Sequence, residues 1–276
     1  MRMEDLDPPR VVEGAAEAIY RDLEWLGLTW DGEPMVQSER NDAYESALAQ
    51  LRDQGLLYPC VCTRRDIRAA SSAPHGIEGL GVRYPGTCRD AVAAASPTPV
   101  LPAALRFRFR EPPPAFVDGL LGPIDTSTFG GDFVLRRRTG EWAYQLAVVV
   151  DDAAQGITEV VRGADLVPST PRQIALFEAL GHPVPAFFHV PLVLDSSGER
   201  LSKRLDSLSI AAHRETGQDA EKVVGALAAS LGLVPEGTRA WPDALIESFD
   251  VAHLPTEPTA LDLAPDDDKA RYSPPR

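Results

Sequence analysis

The sequence has no long hydrophobic run, few cysteines and almost no lysine. An apolar stretch such as Leu146–Val150 is far too short to cross a bilayer, and the charged start over residues 1–5 lacks the apolar core of a signal peptide. The three cysteines are too few for a disulfide scaffold and indicate reduced thiols or a metal site. The composition of the 276 residues is otherwise globular, so we expect a cytoplasmic protein with no membrane partner.

Charge is unevenly distributed along the chain. The formal net charge is −14, which by itself argues against a nucleic-acid partner. Residues 60–110, however, contain eight arginines and three acidic residues, a local charge of +5. Two interpretations stay open: this segment is a basic nucleic-acid-binding module, or Arg106, Arg108 and Arg110 form the solvent face of a strand that also contains Phe107 and Phe109.

Hydrophobic periodicity predicts an α/β protein. The predicted helices lie between Asp7 and Gly27, between Ser38 and Gly55, and between Ser169 and Gly181, with a further helix containing Val223, Val224, Leu227 and Leu231. The predicted strands are Gln145–Val150, Ile157–Val161 and Val190–Leu194.

Polar side chains follow two of these strands. Asp151 and Asp152 come directly after the first strand, and Arg162 and Asp165 follow the second. Because ligands bind beyond the carboxyl ends of the strands in open α/β sheets, all four are candidate site residues. Simple strand termination by polar residues is the alternative interpretation.

A basic loop follows the last predicted strand. It consists of Arg200, Leu201, Ser202, Lys203 and Arg204, and it contains one of only three lysines in the chain. A lysine beside a serine is suited to meet phosphate oxygens as a point charge. The alternative is an exposed basic loop, and only the α/β context upstream favours a phosphate-binding role.

Four sequence runs occur in one order and at domain-scale spacing. They are RMEDLDPPR at 2–10, WAYQLAVVVDD at 142–152, VVRGAD at 160–165 and LSK at 201–203. Together they resemble the catalytic core of class I glutamyl-type aminoacyl-tRNA synthetases over about residues 1–205. Within this class the chain is most similar to the glutamyl-queuosine tRNA(Asp) synthetases. The resemblance implies a Rossmann-like parallel sheet with a zinc-containing insertion and a C-terminal helical tail.

The resemblance also implies roles for individual residues. Glu4 would contact the amino group of L-glutamate, Tyr144 and Arg162 would complete the glutamate site, and Lys203 within Arg200–Arg204 would stabilise charge on the phosphates of Mg-ATP. The glutamate carboxylate would attack the α-phosphate of ATP to give glutamyl-adenylate and pyrophosphate. A queuosine hydroxyl in the anticodon of tRNA(Asp) would then accept the glutamyl group, with catalysis by positioning and charge stabilisation.

The cysteines fit the same resemblance. It implies one Zn²⁺ per chain, held by Cys60, Cys62, Tyr84 and Cys88. Zinc requires four donors and the thiolates supply three, so ordinary ligand chemistry leaves His75 open as the fourth donor in place of Tyr84. Three buried thiols without a metal are the remaining alternative.

The chain departs from the layout of the family at both ends. After Lys203 it is too short for the anticodon-binding region of ordinary glutamyl-tRNA synthetases, which favours the queuosine-directed enzymes. Before Met1 the strand and turn with the HIGH-type signature are absent, roughly 40 residues by the layout of the family. We therefore expect the chain as written to lack the first strand of its sheet, to fold poorly and to activate little or no glutamate.

Four segments are predicted, and two alternative functions stay open. The segments are the first half of the nucleotide-binding fold at 1–57, a zinc-containing, tRNA-contacting insertion at 58–115, the second half at 116–205, and a helical region at 206–276 with a frayed tail from 262. The resemblance implies a monomer. The alternatives are a remnant of an ordinary glutamyl-tRNA synthetase, which would charge a tRNA 3′ end, and a non-catalytic zinc-containing RNA-binding protein.

Overall fold

The computed structural model describes residues 1–7, 11–70, 83–90, 102–194 and 209–261. The chain divides into two compact units: a larger one of Arg2–Arg10 with Pro34–His189, and a smaller one of Met1, Val11–Glu33 and Val190–Arg276. The predicted four segments stay a prediction, because compactness divides the chain at other points. Within the described ranges, none of the helices combines the length and the apolar character that crossing a bilayer requires.

Short helices and strands alternate along the chain. In chain order the helices are α1 (Ala15–Trp25), α2 (Asn41–Asp53), α3 (Arg64–Ala70), α4 (Tyr144–Gln155), α5 (Thr170–Leu180), α6 (Ile210–Glu215), α7 (Ala220–Ser230) and α8 (Pro242–Leu245). The strands are β1 (Arg2–Met3), β2 (Met35–Val36), β3 (Leu57–Cys60), β4 (Ala104–Phe107), β5 (Phe116–Asp118), β6 (Gly122–Ile124), β7 (Phe133–Arg136), β8 (Glu159–Gly163), β9 (Ala186–Val190), β10 (Val193–Leu194) and β11 (Thr259–Ala260).

The larger unit is mixed α/β, as predicted. β1 and β2 pair in parallel, whereas β3, β4 and β7 form an antiparallel sheet in that order. β5 and β6 form an antiparallel pair, and β8 is hydrogen-bonded to β9. The pairing of β1 with β2 brings residues 2–3 beside residues 35–36, and this fixes the position of the chain start in this unit.

The smaller unit is mainly helical. Leu26 at the end of α1 packs with Val223 and Val224 of α7. Asp22 of α1 forms an ion pair with Arg214 of α6 at 2.9 Å, and β10 pairs in parallel with β11. The helix predicted around Val223 and Val224 is confirmed as α7.

The core of the larger unit confirms the helix predicted after Ser38. Its apolar face is fully or almost fully buried and consists of Tyr44, Ala47, Leu48 and Leu51 of α2. These side chains pack with the aromatic residues of the antiparallel sheet and with α4 and α5 in one cluster. Gly55 ends the segment with a positive φ of 70°, a conformation that glycine adopts without a steric penalty.

The strand predicted at Gln145–Val150 is wrong, because these residues belong to helix α4. The apolar run from Leu146 to Val149 is buried throughout, since α4 packs against α2, α5 and β7. A helix that is covered on several sides has the same continuous apolar sequence as a buried strand. The length of the segment and Gly156, which ends the helix with a φ of 66°, were the available signals for a helix.

Other predicted elements are confirmed with shifted bounds. The second predicted strand is β8, which extends to Gly163, and the helix after Ser169 is α5, which ends at Gly181. The strand predicted at Val190–Leu194 is divided between the end of β9 and β10. The first helix begins at Ala15, later than predicted from Asp7, so Val12 is 68% exposed and does not belong to its apolar face.

A single buried carboxylate connects α4 to the chain before α2. Asp151 is fully buried, and its Oδ2 accepts hydrogen bonds from Nε2 of Gln37 and from the hydroxyl of Tyr44, both at 2.8 Å. Its Oδ1 accepts a hydrogen bond from Nε of Arg40 at 2.6 Å. Because a buried charge is tolerated only when it is paired and hydrogen-bonded, this arrangement fixes α4 relative to α2.

We expect Asp151→Asn to destabilise the protein by about 3 kcal/mol, because it removes the buried charge that pairs with Arg40 and replaces one of the two acceptor oxygens with an NH2 donor, while Gln37, Tyr44 and Arg40 all still donate. Tyr44→Phe removes one hydrogen bond and should cost about 1–2 kcal/mol. Thermal and urea unfolding followed by circular dichroism measure both. Asp53→Asn, at an exposed position of α2, is the control and should change stability by less than about 0.5 kcal/mol; equal stability of D151N and D53N would contradict this account.

Candidate active site and metal cluster

Arg162 lies on β8, and three side chains accept hydrogen bonds from its guanidinium. Nε donates to Nε2 of His189 at 3.0 Å, Nη1 to Oε1 of Gln173 at 2.7 Å, and Nη2 to Oγ1 of Thr170 at 2.7 Å. The guanidinium also lies 5.1 Å from the ring centroid of Phe187. Burial lowers the pKa of Arg162, but an arginine remains protonated in proteins. The cluster therefore holds a fixed positive charge.

His189 is fully buried, and its two ring nitrogens have different roles. Because Nε2 accepts a hydrogen bond from Arg162, Nδ1 carries the proton and donates to Oδ2 of Asp118 at 2.5 Å. Burial lowers the pKa of His189 more than the neighbouring Asp118 carboxylate raises it. The ring is therefore neutral at neutral pH, and the Asp118–His189 pair fixes the orientation of Arg162.

A tight turn after β5 positions Asp118. Its Oδ1 accepts hydrogen bonds from the backbone N–H groups of Leu120 at 3.0 Å and Leu121 at 2.9 Å. Burial raises the pKa of Asp118, but these hydrogen bonds and those from His189 outweigh it, and the net pKa is lowered. A Cβ at Gly119, the residue after Asp118, would lie 2.0 Å from a ring carbon of Phe188, so a larger residue there would require that ring to move.

Tyr144, Glu4 and Asp152 lie around Arg162. Tyr144 is the first residue of α4 and is 41% exposed; burial raises its pKa, and the charges of Arg162 and Glu4 are close enough to act on it. Oε1 of Glu4 accepts hydrogen bonds from Nε and Nη2 of Arg2 at 3.2 and 3.0 Å. Nη1 of Arg2 donates to Oδ1 of Asp152 at 2.5 Å. The three residues expected to bind glutamate thus share one cluster.

The residues predicted at strand ends lie in different surroundings. Asp152 lies in the cluster with Arg162, and burial raises its pKa although the ion pair with Arg2 opposes this. Asp151 belongs instead to the buried network with α2, so a site role for it is not supported by its contacts. Asp165 lies in the 3₁₀ turn Ala164–Ser169 and is half-buried. The reason for the divergence is that Asp151 and Asp152 are successive residues of a helix and point about 100° apart.

The three cysteines form a second cluster, with Tyr84 in contact. The sulfur atoms of Cys60, Cys62 and Cys88 all lie within 4.8 Å of one another, and those of Cys62 and Cys88 are 3.5 Å apart. The Tyr84 hydroxyl is 3.4 Å from Sγ of Cys60 and 3.6 Å from Sγ of Cys62. Three sulfurs and one oxygen at these separations fit a single tetrahedral metal ion with thiolate ligands.

Burial and hydrogen bonds separate the pKa values of these thiols. Burial raises the pKa of Cys62 to about 11. Burial also acts to raise the pKa of Cys88, but hydrogen bonds with the Tyr84 hydroxyl and the backbone of Val61 lower it to about 7. Cys88 is therefore more readily deprotonated for metal binding than Cys62.

Several predicted residues lie outside the described part of the chain. These are Arg200, Leu201, Ser202, Lys203 and Arg204 of the basic loop, the alternative metal ligand His75, and the tail from residue 262. Their roles stay predictions.

Comparison with known proteins assigns the chain to a family. Residues 1–263 match the family model for the catalytic domain of class I tRNA synthetases of the E and Q type. A glutamyl-Q tRNA(Asp) synthetase from Symbiobacterium thermophilum is 46% identical over 95% of this chain and 84% of its own length. A second, from Nocardia farcinica, is 48% identical over 95% of this chain and 81% of its own length. The chain belongs to the glutamyl-Q tRNA(Asp) synthetases. These are class I ligases, and the enzyme class expected from the sequence is confirmed.

Solved structures identify the fold of the chain. It is similar to the crystal structure of a glutamate tRNA ligase from Elizabethkingia meningosepticum in complex with its amino acid, with a TM-score of 0.71 and 25% identity over 95% of this chain. The chain spans 60% of that ligase. The class I synthetase fold is thereby confirmed.

The residues that hold Arg162 in place were not predicted from the sequence. Asp118 and His189 lie far from each other and from Arg162 in sequence, and Thr170 and Gln173 were included only in a helix prediction. A single histidine within the apolar segment Ala186–Val190 was the available signal for His189. No spacing rule pairs it with Asp118.

We expect the cysteine cluster to bind Co²⁺, a spectroscopic probe of tetrahedral thiolate sites, at one ion per chain and with intense thiolate-to-metal absorption. Cys88→Ser should abolish the absorption, because it removes one of three thiolates. Tyr84→Phe should weaken binding but keep the sulfur signal, since all three thiols remain. Optical titration of the metal-free protein measures this; a spectrum of C88S equal to that of the wild type would exclude the cluster as the site.

Proposed function

We propose that the protein activates L-glutamate with Mg-ATP and transfers the glutamyl group to queuosine in the anticodon of tRNA(Asp). The observation that carries the proposal is Arg162, a cation that is held in place by uncharged hydrogen-bond acceptors and lies beside Tyr144 and Glu4. The family to which the chain belongs supports the same reaction. We propose that the protein acts in the cytoplasm. We also propose that it is a monomer.

The cluster around Arg162 suits an amino-acid substrate with carboxylates. The guanidinium donates one hydrogen bond each from Nε, Nη1 and Nη2 to uncharged acceptors, so it keeps its positive charge, and its planar fork suits a substrate carboxylate. Tyr144, partly exposed, presents its hydroxyl to the same region, and Glu4 offers a carboxylate to the substrate amino group. We assign glutamate recognition to these three residues.

The chemistry is an attack of the glutamate carboxylate on the α-phosphorus of ATP. A bond forms between the carboxylate oxygen and phosphorus, and the bond to pyrophosphate breaks. A queuosine hydroxyl then attacks the carbonyl carbon of the adenylate, loses its proton and releases AMP. Fixed positive charge and correct positioning suffice for both steps, and we assign phosphate contact to Lys203.

We assign zinc to the cysteine cluster. Cys60, Cys62, Cys88 and Tyr84 would hold the ion, and a four-donor set leaves no position open for substrate, so the ion would supply structure and not catalysis. It would connect the end of β3 to the segment around Tyr84. Part of the basic segment 60–110 is thereby held against the sheet for contact with tRNA.

Glutamate-dependent exchange of pyrophosphate into ATP tests the first step. We expect the protein isolated from its native cells to catalyse this exchange with L-glutamate and to transfer labelled glutamate to queuosine-containing tRNA(Asp). The same tRNA without its 3′-terminal adenosine should be an equal substrate, because the acceptor is the anticodon base.

Each other outcome favours a different function. Loss of transfer when the 3′ adenosine is removed would indicate an ordinary glutamyl-tRNA synthetase. Salt-dependent tRNA binding by native protein that neither exchanges pyrophosphate nor binds glutamate would indicate a non-catalytic RNA-binding protein.

We expect His189→Leu to weaken L-glutamate binding about tenfold, because Nε of Arg162 loses its acceptor and the guanidinium is no longer oriented. His189→Gln keeps an acceptor oxygen and should stay within about threefold of wild type. In wild type, affinity should be constant above about pH 6.5 and fall below it, since protonation of His189 removes the same acceptor. Calorimetric titration with glutamate from pH 5 to 8 measures these effects.

The pH series contains its own control. His189→Gln has no titrating group at this position, so its affinity should lose the acid-dependent fall that the wild type shows. An identical pH profile in both proteins would show that His189 does not orient Arg162 for glutamate.

A further inference from the structure

Three arginines converge on the segment Gly131–Phe133. Arg83 crosses Gly131 so closely that a Cβ there would lie 2.9 Å from Cγ of Arg83. Nη1 of Arg106 donates to the carbonyl oxygen of Asp132 at 3.2 Å. The guanidinium of Arg172 lies 5.4 Å from the ring centroid of Phe133. We name Arg83, Arg106 and Arg172 the arginine cluster.

Two carboxylates near the cluster, Asp132 and Glu111, already have partners. Oδ1 of Asp132 accepts hydrogen bonds from the backbone N–H of Phe109 at 2.8 Å and from Arg89 at 3.1 Å, and its Oδ2 accepts one from the Tyr58 hydroxyl at 2.7 Å. Glu111 pairs with Arg83 at 2.5 Å. Two carboxylates thus face four arginines, which leaves an excess of two positive charges.

The excess charge belongs to two buried side chains. Arg106 is 7% and Arg172 is 9% exposed, and within the described part of the chain the Nε of each has no hydrogen-bond acceptor. Arg106 has partial compensation, since its guanidinium lies 3.9 Å from the ring centroid of Tyr84. Burying a cation without a neighbouring anion costs free energy of folding. Two such cations side by side therefore indicate that an anion from another molecule binds here.

Arg172 is the least favourably placed of the three. It is the third residue of α5, in the first turn, where the helix dipole disfavours a cation and favours an anion. Burial, together with the charges of Arg106 and Arg83, lowers its pKa to about 10, so it is still protonated at neutral pH. All three unfavourable contributions would be relieved by one anion bound at the cluster.

We propose that the arginine cluster is a binding site for a backbone phosphate of the tRNA substrate. Arginine is suited to this because its planar fork can donate two parallel hydrogen bonds to phosphate oxygens. Access is provided by Arg83, whose side chain is 50% exposed and which lines a cavity beside the cluster together with Arg89, Gly131 and the carboxylates Asp90, Glu111 and Asp132. The proposal rests on the proposed function for the identity of the molecule that carries the phosphate.

The interpretation of Arg106 as part of a solvent face is replaced by this site. Arg106 is buried, whereas Arg110 is exposed and Phe107 and Phe109 are buried as expected. Arg172 was not connected with the basic segment by the sequence, because it lies 62 residues beyond residue 110. The fold adds it to the positive charge of residues 60–110.

Arg172→Met separates binding from stability. An apolar side chain of similar length should leave the melting temperature unchanged or raise it, because it removes a buried, uncompensated charge. The same change should weaken tRNA(Asp) binding about tenfold and reduce the slope of log K against log salt by about 0.7 to 0.9, the value for one phosphate contact. Filter binding of tRNA(Asp) to the full chain between 50 and 300 mM KCl, roughly the range over which such contacts are screened, measures the slope.

Arg52→Met is the matched control. It changes the net charge equally at an exposed position in the last turn of α2, and its salt slope should equal that of wild type. A loss equal to that of Arg172→Met would show a general charge effect and overturn the proposal. A lowered melting temperature with unchanged tRNA affinity in R172M would likewise overturn it, because Arg172 would then be a packing residue.

Inorganic phosphate distinguishes the two sources of the anion. A saturable rise in melting temperature with phosphate that R172M abolishes, combined with unchanged tRNA binding, would assign the site to free phosphate and overturn the polynucleotide assignment. Arg83→Met, at a half-exposed position, should weaken tRNA binding as well and keeps the test decisive if R172M fails to fold. Absence of tRNA binding by wild type would refute the proposed function, whereas binding that R172M and R83M leave unchanged would refute only the phosphate site.

Discussion

The carboxylate of Asp151 is the interaction on which the larger unit depends. It is fully buried and accepts hydrogen bonds from Gln37, Arg40 and Tyr44, so it fixes α4 against α2 and the turn before α2. The position of α4 determines where Tyr144, at its first residue, meets Arg162. The following residue, Asp152, holds Arg2 and through it Glu4. A structural network and a binding cluster therefore share one helix, through two successive aspartates.

The sequence predicted the helix faces and the sulfur cluster better than it predicted the centre of the fold. Periodicity was sufficient for α2, because its apolar residues lie on one face. It failed for α4, because a helix buried on several sides has no polar face to reveal its period. Motif resemblance nevertheless selected Glu4, Tyr144 and Arg162, which lie near one another in the fold, since a motif does not depend on whether Tyr144 begins a helix or precedes a strand. The contacts among Arg162, His189 and Asp118 could not be predicted, because they are made only after β5, β8 and β9 come together.

The first turn of α5 connects the two positively charged regions of the larger unit. Thr170 and Gln173 accept hydrogen bonds from Arg162, whereas Arg172, one residue before Gln173, lies over Phe133 in the arginine cluster. Successive helical residues point about 100° apart, so neighbouring side chains can serve opposite sides of a helix. One rigid turn therefore sets the positions of the cation to which we assign the amino acid and of the cation to which we assign the phosphate.

Arg162 and Arg172 differ in how the surrounding residues stabilise their positive charges. This difference supports the assignment of a different ligand to each. Arg162 has three hydrogen-bond acceptors that satisfy its geometry without neutralising its charge, so it is oriented before any substrate arrives. Arg172 has aromatic contact but no acceptor at Nε, and it lies in a helix turn that disfavours its charge. A cation whose orientation is fixed favours selective recognition of a small carboxylate. A buried cation without a counter-ion favours tight binding of any anion, including a phosphate that other contacts of the same polynucleotide hold in place. A ligand that neutralises Arg172 also stabilises the folded chain by mass action, so binding of the nucleic acid would strengthen the same turn that holds Arg162.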